Sequence, residues 1–204
     1  VEMPDGLTSI GHRTFAGCSS LTGITLPASL KTINNYAFYN CKGLQSIEIP
    51  NSVTSLGSNM FSDCSSLKVV SLSSVITELP GSIFNNCSSL ETIVLPAGIT
   101  TIGNNAFEGC SSLTGVSMPL GLESIGQSVF YGCSSLTSIV LPSAIKSIPY
   151  GLFYNCTNLA SIEMGDDITS IGQNAFYGCK SLESITLPES VTSIKGHAFY
   201  GCSS

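Results

Sequence analysis

Nine cysteines are the first residues in this sequence whose chemistry needs an explanation. They stand at 18, 41, 64, 87, 110, 133, 156, 179 and 202, each 23 residues from the next. Zinc sites use cysteine or histidine ligands about two to four residues apart, which this spacing does not provide. An odd number cannot pair completely, and equivalent side chains that point the same way lack the crossed geometry of a disulfide. We therefore expect buried, reduced cysteines and no metal.

Residues for catalysis are sparse. His12 and His197, the only two histidines, stand near opposite ends of the chain. No serine has a histidine and an aspartate of its own around it, as a hydrolytic triad needs. Asp166-Asp167 is the only adjacent acidic pair, and it offers too few oxygen ligands for a calcium site. We expect neither an enzyme nor a cofactor.

The composition excludes several other classes. Of 204 residues, 43% are hydrophobic and 10% are charged, which is unlike a disordered chain. The net charge of -6 argues against binding to nucleic acid. No apolar run approaches the roughly 18–20 residues that span a bilayer, so we expect no direct membrane insertion by this segment.

The step of the cysteines recurs in other columns and determines the architecture. Each of the nine phenylalanines lies three residues before a cysteine, and a column from Ile10 to Ile194 holds isoleucine or leucine in all nine copies. We predict one domain, residues 1–204, of about nine 23-residue coils. Neither end has a polar capping unit, since Val1 falls within a predicted strand and Ser204 within a predicted turn. We expect a fragment of a longer protein.

Each coil is predicted to contain a short strand. In one copy, the apolar Ile139 and Leu141 alternate with Ser138 and Val140, which is the period of a strand that is buried on one face. Pro142 then ends the strand, because proline cannot donate a hydrogen bond to a ladder. Stacked copies of this strand predict one parallel sheet.

The return segment has a different period. Ile102, Ala106 and Cys110 are four residues apart, the spacing of one helical face, and Pro80 and Pro149 stand where its first turn would begin. Glycine, asparagine or aspartate lies two residues after every phenylalanine, which predicts a left-handed turn residue. The sequence thus predicts an α/β right-handed solenoid, with one parallel sheet on the concave face and short helical or 3₁₀ turns on the convex side.

The copies resemble the BspA-type (Treponema pallidum-type) leucine-rich repeat, with the pattern L-x-x-I-x-L-P-x-x-[VI]-x-x-I-G-x-x-A-F-x-G-C-x-x-L. Residues 113–119 and 125–133 carry it, whereas Ser73 and Gly165 replace the proline and Lys195 replaces the glycine. The resemblance covers nearly the whole chain. It implies a leucine-rich-repeat solenoid from a cell-surface or secreted protein that functions in adhesion. The implied partner is a host extracellular-matrix or surface protein.

Binding is expected where the columns vary between copies. We define the sheet face by the exposed strand positions, which are Thr25, Glu48, Ser71, Val94, Ser117, Val140, Glu163 and Thr186. We define the aromatic stripe by the residues after the last four phenylalanines, Tyr131, Tyr154, Tyr177 and Tyr200. Tyrosine is favoured at interfaces, but stacking of these rings on one another explains the stripe as well, and a solvated surface explains the sheet face.

Two functions fit this pattern. The first is a non-catalytic protein-binding or adhesion module. The alternative is a passive structural spacer, a stalk that presents another domain. Asn86 and Asn155 also match the N-glycosylation motif, although the predicted left-handed turn explains both residues.

Overall fold

The 23-residue step places each strand beside its copies in the neighbouring coils. All strand pairs are parallel and in register, with Ile102 opposite Ile125 and Ile139 opposite Ile162. The computed structural model describes residues 2–203, so that the predicted strand at Val1 and turn at Ser204 lie outside the described residues. The chain is a parallel β-solenoid of stacked coils.

The predicted strand is present in six coils. Its copies are β3 (Ser46–Glu48), β5 (Val69–Ser71), β7 (Thr92–Val94), β9 (Gly115–Ser117), β11 (Ser138–Val140) and β13 (Ser161–Glu163). They form ladders as the pairs β3–β5, β7–β9 and β11–β13. In each strand the middle residue is buried or half-buried, because it packs into the core.

A second series of strands contains the isoleucine and leucine column, which the sequence had placed on a helical face. Its members are β1 (Ser9–Ile10), β2 (Thr32–Ile33), β4 (Ser55–Leu56), β6 (Glu78–Leu79), β8 (Thr101–Ile102), β10 (Ser124–Ile125), β12 (Ser147–Ile148), β14 (Ser170–Ile171) and β15 (Ser193–Ile194). The prediction of one sheet was therefore wrong, since the coils are joined by two series of parallel strands.

The predicted helical or 3₁₀ turns are not found: residues 2–203 contain no helix, and hence none that could span a membrane. The backbone amides explain this difference. Ala16 N donates to Arg13 O within its coil at 3.1 Å, whereas Phe15 N donates to Ala37 O of the next coil at 2.8 Å. A helix needs consecutive amides to bond within it. Here every second amide joins two coils instead.

The predicted left-handed column is confirmed. The residue two after each phenylalanine has φ between 55° and 76° in all nine copies. A second left-handed column, four residues earlier, was missed because Arg13, Tyr36 and His197 occur in it, and such residues rarely adopt φ values of 57° and 58°. Two left-handed residues per coil thus shape the return segment.

The phenylalanines form one continuous internal spine, here called the phenylalanine stack. All eight successive pairs are stacked, with ring centroids 5.2–5.7 Å apart and interplanar angles of at most 20°. The seven inner rings are fully buried, and the outermost rings, Phe15 and Phe199, are half-buried. Each inner ring therefore packs against a ring on both sides.

The predicted burial of the cysteines is confirmed for the seven inner copies. Each thiol donates to the carbonyl of the phenylalanine 26 residues earlier, as from Cys110 Sγ to Phe84 O at 3.1 Å. Burial raises the pKa of Cys110, and it raises the pKa of Cys179 to about 12. Of the two end copies, Cys202 is half-buried. Cys18 is more exposed, because it lies in the first coil.

The second series of strands is interrupted twice. It divides into the groups β1-β2-β4, β6-β8-β10 and β12-β14-β15. Within a group, the residue after the isoleucine or leucine donates its amide to the preceding coil, as from Gly103 N to Leu79 O at 2.8 Å. This bond is one that proline cannot make.

Prolines stand at both interruptions. Pro80 follows β6 and Pro149 follows β12, so neither residue can donate an amide toward Leu56 O or Ile125 O. Leu56 and Ile125 are also each 9% exposed, more than any other residue of the column except Ile194. The sequence had placed these prolines at helix starts. Their effect in the structure is to end a ladder.

Candidate functional site

The predicted sheet face is exposed along its length. All eight of its residues are solvent-exposed, from Thr25 to Thr186. Strand register sets Glu48 beside Ser71 and Val140 beside Glu163. The structure therefore brings these residues together as one row of neighbours, and their role in binding stays a prediction.

Several apolar side chains are left in solvent on and beside this face. Val94 is 82% exposed and Val140 is 56% exposed. Leu120, which the sequence reasoning missed, is 94% exposed. The signal for it was present, because the equivalent residues of the other coils are all small or polar: Ala28, Asn51, Ser74, Ala97, Ser143, Asp166 and Glu189.

Two grooves open on the sheet face, each beside a glycine of the column that contains Gly23 and Gly115. The first has a volume of about 750 Å³ and is lined by Gly23, Thr25, Ser46, Glu48 and Val69, among others. The second, the Gly115 groove, has about 480 Å³ and is lined by Gly115, Ser117, Met118, Leu120, Val140 and Pro142, among others. A Cβ added at either glycine would meet nothing within 4 Å.

The aromatic stripe is a stack of four rings. Successive centroids from Tyr131 to Tyr200 are 4.5, 4.5 and 5.0 Å apart, with interplanar angles of 3°, 1° and 18°. Partial burial, together with the neighbouring Tyr177 and Tyr131 phenols, raises the pKa of Tyr154. Both faces of the Tyr154 and Tyr177 rings are covered by other rings, so only edges and hydroxyls remain for a partner.

A second aromatic cluster lies on the return segments of the first coils. The ring of Tyr36 is 5.6 Å from His12 and 5.7 Å from Tyr39, and the Arg13 guanidinium lies 5.0 Å from its centroid. A hydrogen bond to Asp63 raises the pKa of Tyr39. Sequence reasoning missed this cluster because His12 and Tyr39 stand in different columns from Arg13 and Tyr36.

The residues considered for catalysis are not brought together. His12 packs on Tyr36, and His197 lies 5.8 Å from Tyr200 at the other end of the solenoid. Asp167 pairs with Lys146 at 2.7 Å, and this bond lowers the pKa of the Asp167 carboxyl. Within residues 2–203, no three His, Cys, Asp or Glu side chains are grouped as metal ligands.

The two asparagines of the glycosylation motifs have the backbone that the turn explanation requires. Asn86 has φ of 58° and Asn155 has φ of 55°. Asn86 Nδ2 also donates to Asp63 Oδ1 at 3.0 Å. The left-handed turn therefore explains why asparagine occurs at these two positions, whether or not a sugar is attached.

Known proteins share this architecture. A leucine-rich-repeat protein of T. pallidum is 30% identical, with a TM-score of 0.74 over 80% of this chain and 78% of that one. A leucine-rich-repeat protein of Bacteroides ovatus is 27% identical, with a TM-score of 0.63 over 98% of this chain and 69% of that one. A leucine-rich cell-surface protein of Faecalibacterium prausnitzii is 29% identical, with a TM-score of 0.55 over 97% of this chain and 68% of that one.

No curated protein matches the chain. The family model for the BspA type leucine-rich repeat region matches residues 1–114 and 100–204, in six copies. These matches extend over all the coils and agree with the stacked strands and the phenylalanine stack. The protein belongs to the BspA-type leucine-rich-repeat family.

Proposed function

We propose that this chain is a non-catalytic protein-binding module of a cell-surface or secreted protein, and that the sheet face is its contact surface. One observation carries the proposal. Buried columns keep nearly the same residue through the coils, while the exposed column beside them changes from Glu48 to Val94 to Glu163. Packing accounts for the constant columns. Packing gives no reason for a valine to be exposed, whereas a contact surface for another protein does.

The shape of the molecule supports the same function. Stacked coils present an extended surface to which five of the six three-residue strands contribute two exposed residues each, an arrangement that repeat proteins use for partners. The F. prausnitzii relative is a cell-surface protein. For this chain we propose the same location and, from the family resemblance, a host extracellular-matrix or surface protein as partner.

The test is a binding assay with purified matrix and serum proteins immobilised on a sensor. Glu48→Lys and Val94→Asp change the sheet face, and Tyr154→Ala and Tyr177→Ala change the aromatic stripe. All four side chains are exposed or half-buried, so thermal melting should show folded variants. We expect saturable binding that the sheet-face variants weaken by about tenfold or more, equivalent to about 1.4 kcal/mol.

The other outcomes are equally informative. If only the tyrosine variants weaken binding, the aromatic stripe is the contact surface and the sheet face is a solvated surface. If no protein of the panel binds saturably, the module function is refuted and the chain is a passive spacer.

A further inference from the structure

Three exposed apolar side chains cluster in three consecutive coils. Val94 lies in β7, Leu120 follows β9 and Val140 ends β11, and Leu120 is the most exposed large apolar residue among residues 2–203. Elsewhere the position of Leu120 holds small or polar residues. Exposed apolar residues that are grouped and rimmed by polar ones mark a contact with another molecule.

Two members of this cluster, Leu120 and Val140, line the Gly115 groove. It runs between β9 and β11, which are neighbouring coils that no ladder joins. Buried Val116 and Ile139 and half-buried Met118 contribute to its lining, and Gly115 leaves it open because it has no side chain. Its volume of about 480 Å³ accommodates a large apolar side chain with its backbone.

The charges around the groove have one predominant sign. Three columns are compared: the residue just before each strand and the first and third residues of the strand. The charged residues in these columns are four glutamates and one lysine, namely Glu48, Glu91, Glu163, Glu183 and Lys68. All five are exposed. Glu91 lies one coil before the groove and Glu163 lies one coil after it. A partner that covers the groove therefore meets a carboxylate on each side, which favours a basic segment.

The spacing of these carboxylates specifies the segment further. Glu91 and Glu163 are three coils apart, about 14 Å at the usual strand spacing, and three residues apart along the strand direction, about 10 Å, so that about 17 Å separates them diagonally. An extended segment of five residues covers about 14 Å from its first to its last Cα, and the length of lysine or arginine side chains covers the remainder. Side chains two apart in an extended chain share one face. A segment with a basic residue two positions before and two positions after a large apolar residue therefore matches the groove and both carboxylates.

We propose that the Gly115 groove binds the apolar side chain of an extended protein segment of the pattern basic-x-apolar-x-basic. The proposal rests on the protein-binding function proposed above and adds the chemistry of the partner. Leu120 and Val140 contact the apolar side chain at the rim, and Glu91 and Glu163 pair with the flanking lysine or arginine side chains.

The test uses fluorescein-labelled peptides with the core Lys-Thr-X-Thr-Lys, where X is leucine, phenylalanine or methionine, and measures anisotropy with the full chain. Peptides with serine at X, or with glutamate for both lysines, are the controls. We expect the apolar, basic peptides to bind and both controls to bind at least tenfold more weakly. The proposal is overturned if no member binds at about 1 mM, or if the controls bind equally well.

Two glycine variants test whether the peptide binds in the groove. Gly115→Leu places a large side chain in the groove, and Gly23→Leu puts the same side chain at the equivalent position of the first coil; the Cβ of each meets nothing within 4 Å. We expect Gly115→Leu to weaken peptide binding at least tenfold and Gly23→Leu to leave it unchanged, with equal thermal stability. Equal peptide affinity for both variants would overturn the proposal.

The same variants separate this proposal from the function on which it rests. If matrix proteins bind Gly115→Leu as well as the unchanged chain, the protein-binding function stands and the groove is not its site. If the peptides bind in the groove and no matrix protein binds, the groove proposal stands and the proposed host partner is wrong.

Discussion

Replacing Phe107 by alanine removes one ring from the middle of the phenylalanine stack. Phe107 is fully buried, and its ring centroid lies 5.6 Å from that of Phe84 and 5.7 Å from that of Phe130. Burial of the side chain contributes about 1.5–3 kcal/mol, and each ring contact contributes about 0.5–1.5 kcal/mol. These contributions agree with the roughly 3–5 kcal/mol typical of buried Phe→Ala changes. We expect a loss of that size in the free energy of unfolding.

Phe199→Ala is the matched variant at the end of the same stack. Phe199 is half-buried and has one stacked neighbour, Phe176, at 5.2 Å. Its burial is incomplete and it has one of the two ring contacts, so we expect a loss about 1–2 kcal/mol smaller than that of Phe107→Ala. Urea unfolding followed by circular dichroism measures both losses, with the m-value as the check on cooperativity.

The comparison tests whether the stack stabilises the solenoid coil by coil. Equal losses for Phe107→Ala and Phe199→Ala would show that position in the stack does not matter. A loss below about 1 kcal/mol for Phe107→Ala would show that the neighbouring rings close the cavity without cost. Either result would refute the reasoning.

Three further predictions concern the cysteines, one glycine and one proline. A thiol reagent should react with Cys18 and Cys202 in the native protein and with all nine cysteines after denaturation, because the inner seven are buried. Gly57→Ala should cost about 1–3 kcal/mol or more in urea unfolding, because a Cβ there would lie 2.2 Å from a backbone nitrogen of the preceding coil. Pro80→Gly supplies an amide that can donate to Leu56 O. Hydrogen exchange should find this amide protected.

Each of these predictions has a contradicting result. More than two fast-reacting native thiols would mean that the inner coils open readily. Gly115→Ala is the control for Gly57→Ala, since its Cβ meets nothing within 4 Å, and equal losses for the two would contradict the packing argument. An unprotected amide in Pro80→Gly would mean that something other than the missing donor separates the groups of strands.

The sequence predicts those parts of the fold that a single coil determines. The alternation around Ile139 predicts its strand, because burial on one face needs no knowledge of the neighbouring coil. The column of Ile102 was misassigned for the opposite reason. Its four-residue spacing to Ala106 fits a helical face, but the choice between bonds within a coil and bonds between coils depends on the stacked neighbours. That choice is not visible in one copy.

The candidate site divides in the same way. Exposure of residues such as Val94 follows from strand alternation and was predicted. The Gly115 groove was missed, because it depends on a missing side chain and on the absence of a ladder between two coils. The Tyr36 cluster was missed because its ring contacts with His12 and Tyr39 cross columns. Leu120 was detectable as the single large apolar residue in its column.

The two proline interruptions give the solenoid an uneven stiffness. Pro80 and Pro149 are 69 residues apart, so every third coil lacks the ladder bonds on that side. The phenylalanine stack continues across both places, with ring centroids 5.7 Å apart from Phe61 to Phe84 and from Phe130 to Phe153. The β3–β5 ladder also spans the first place, whereas β9 and β11 form no ladder at the second. The solenoid should therefore be most compliant at the second place, where no ladder of either series joins the two coils. Under tension, this joint should yield before the others do.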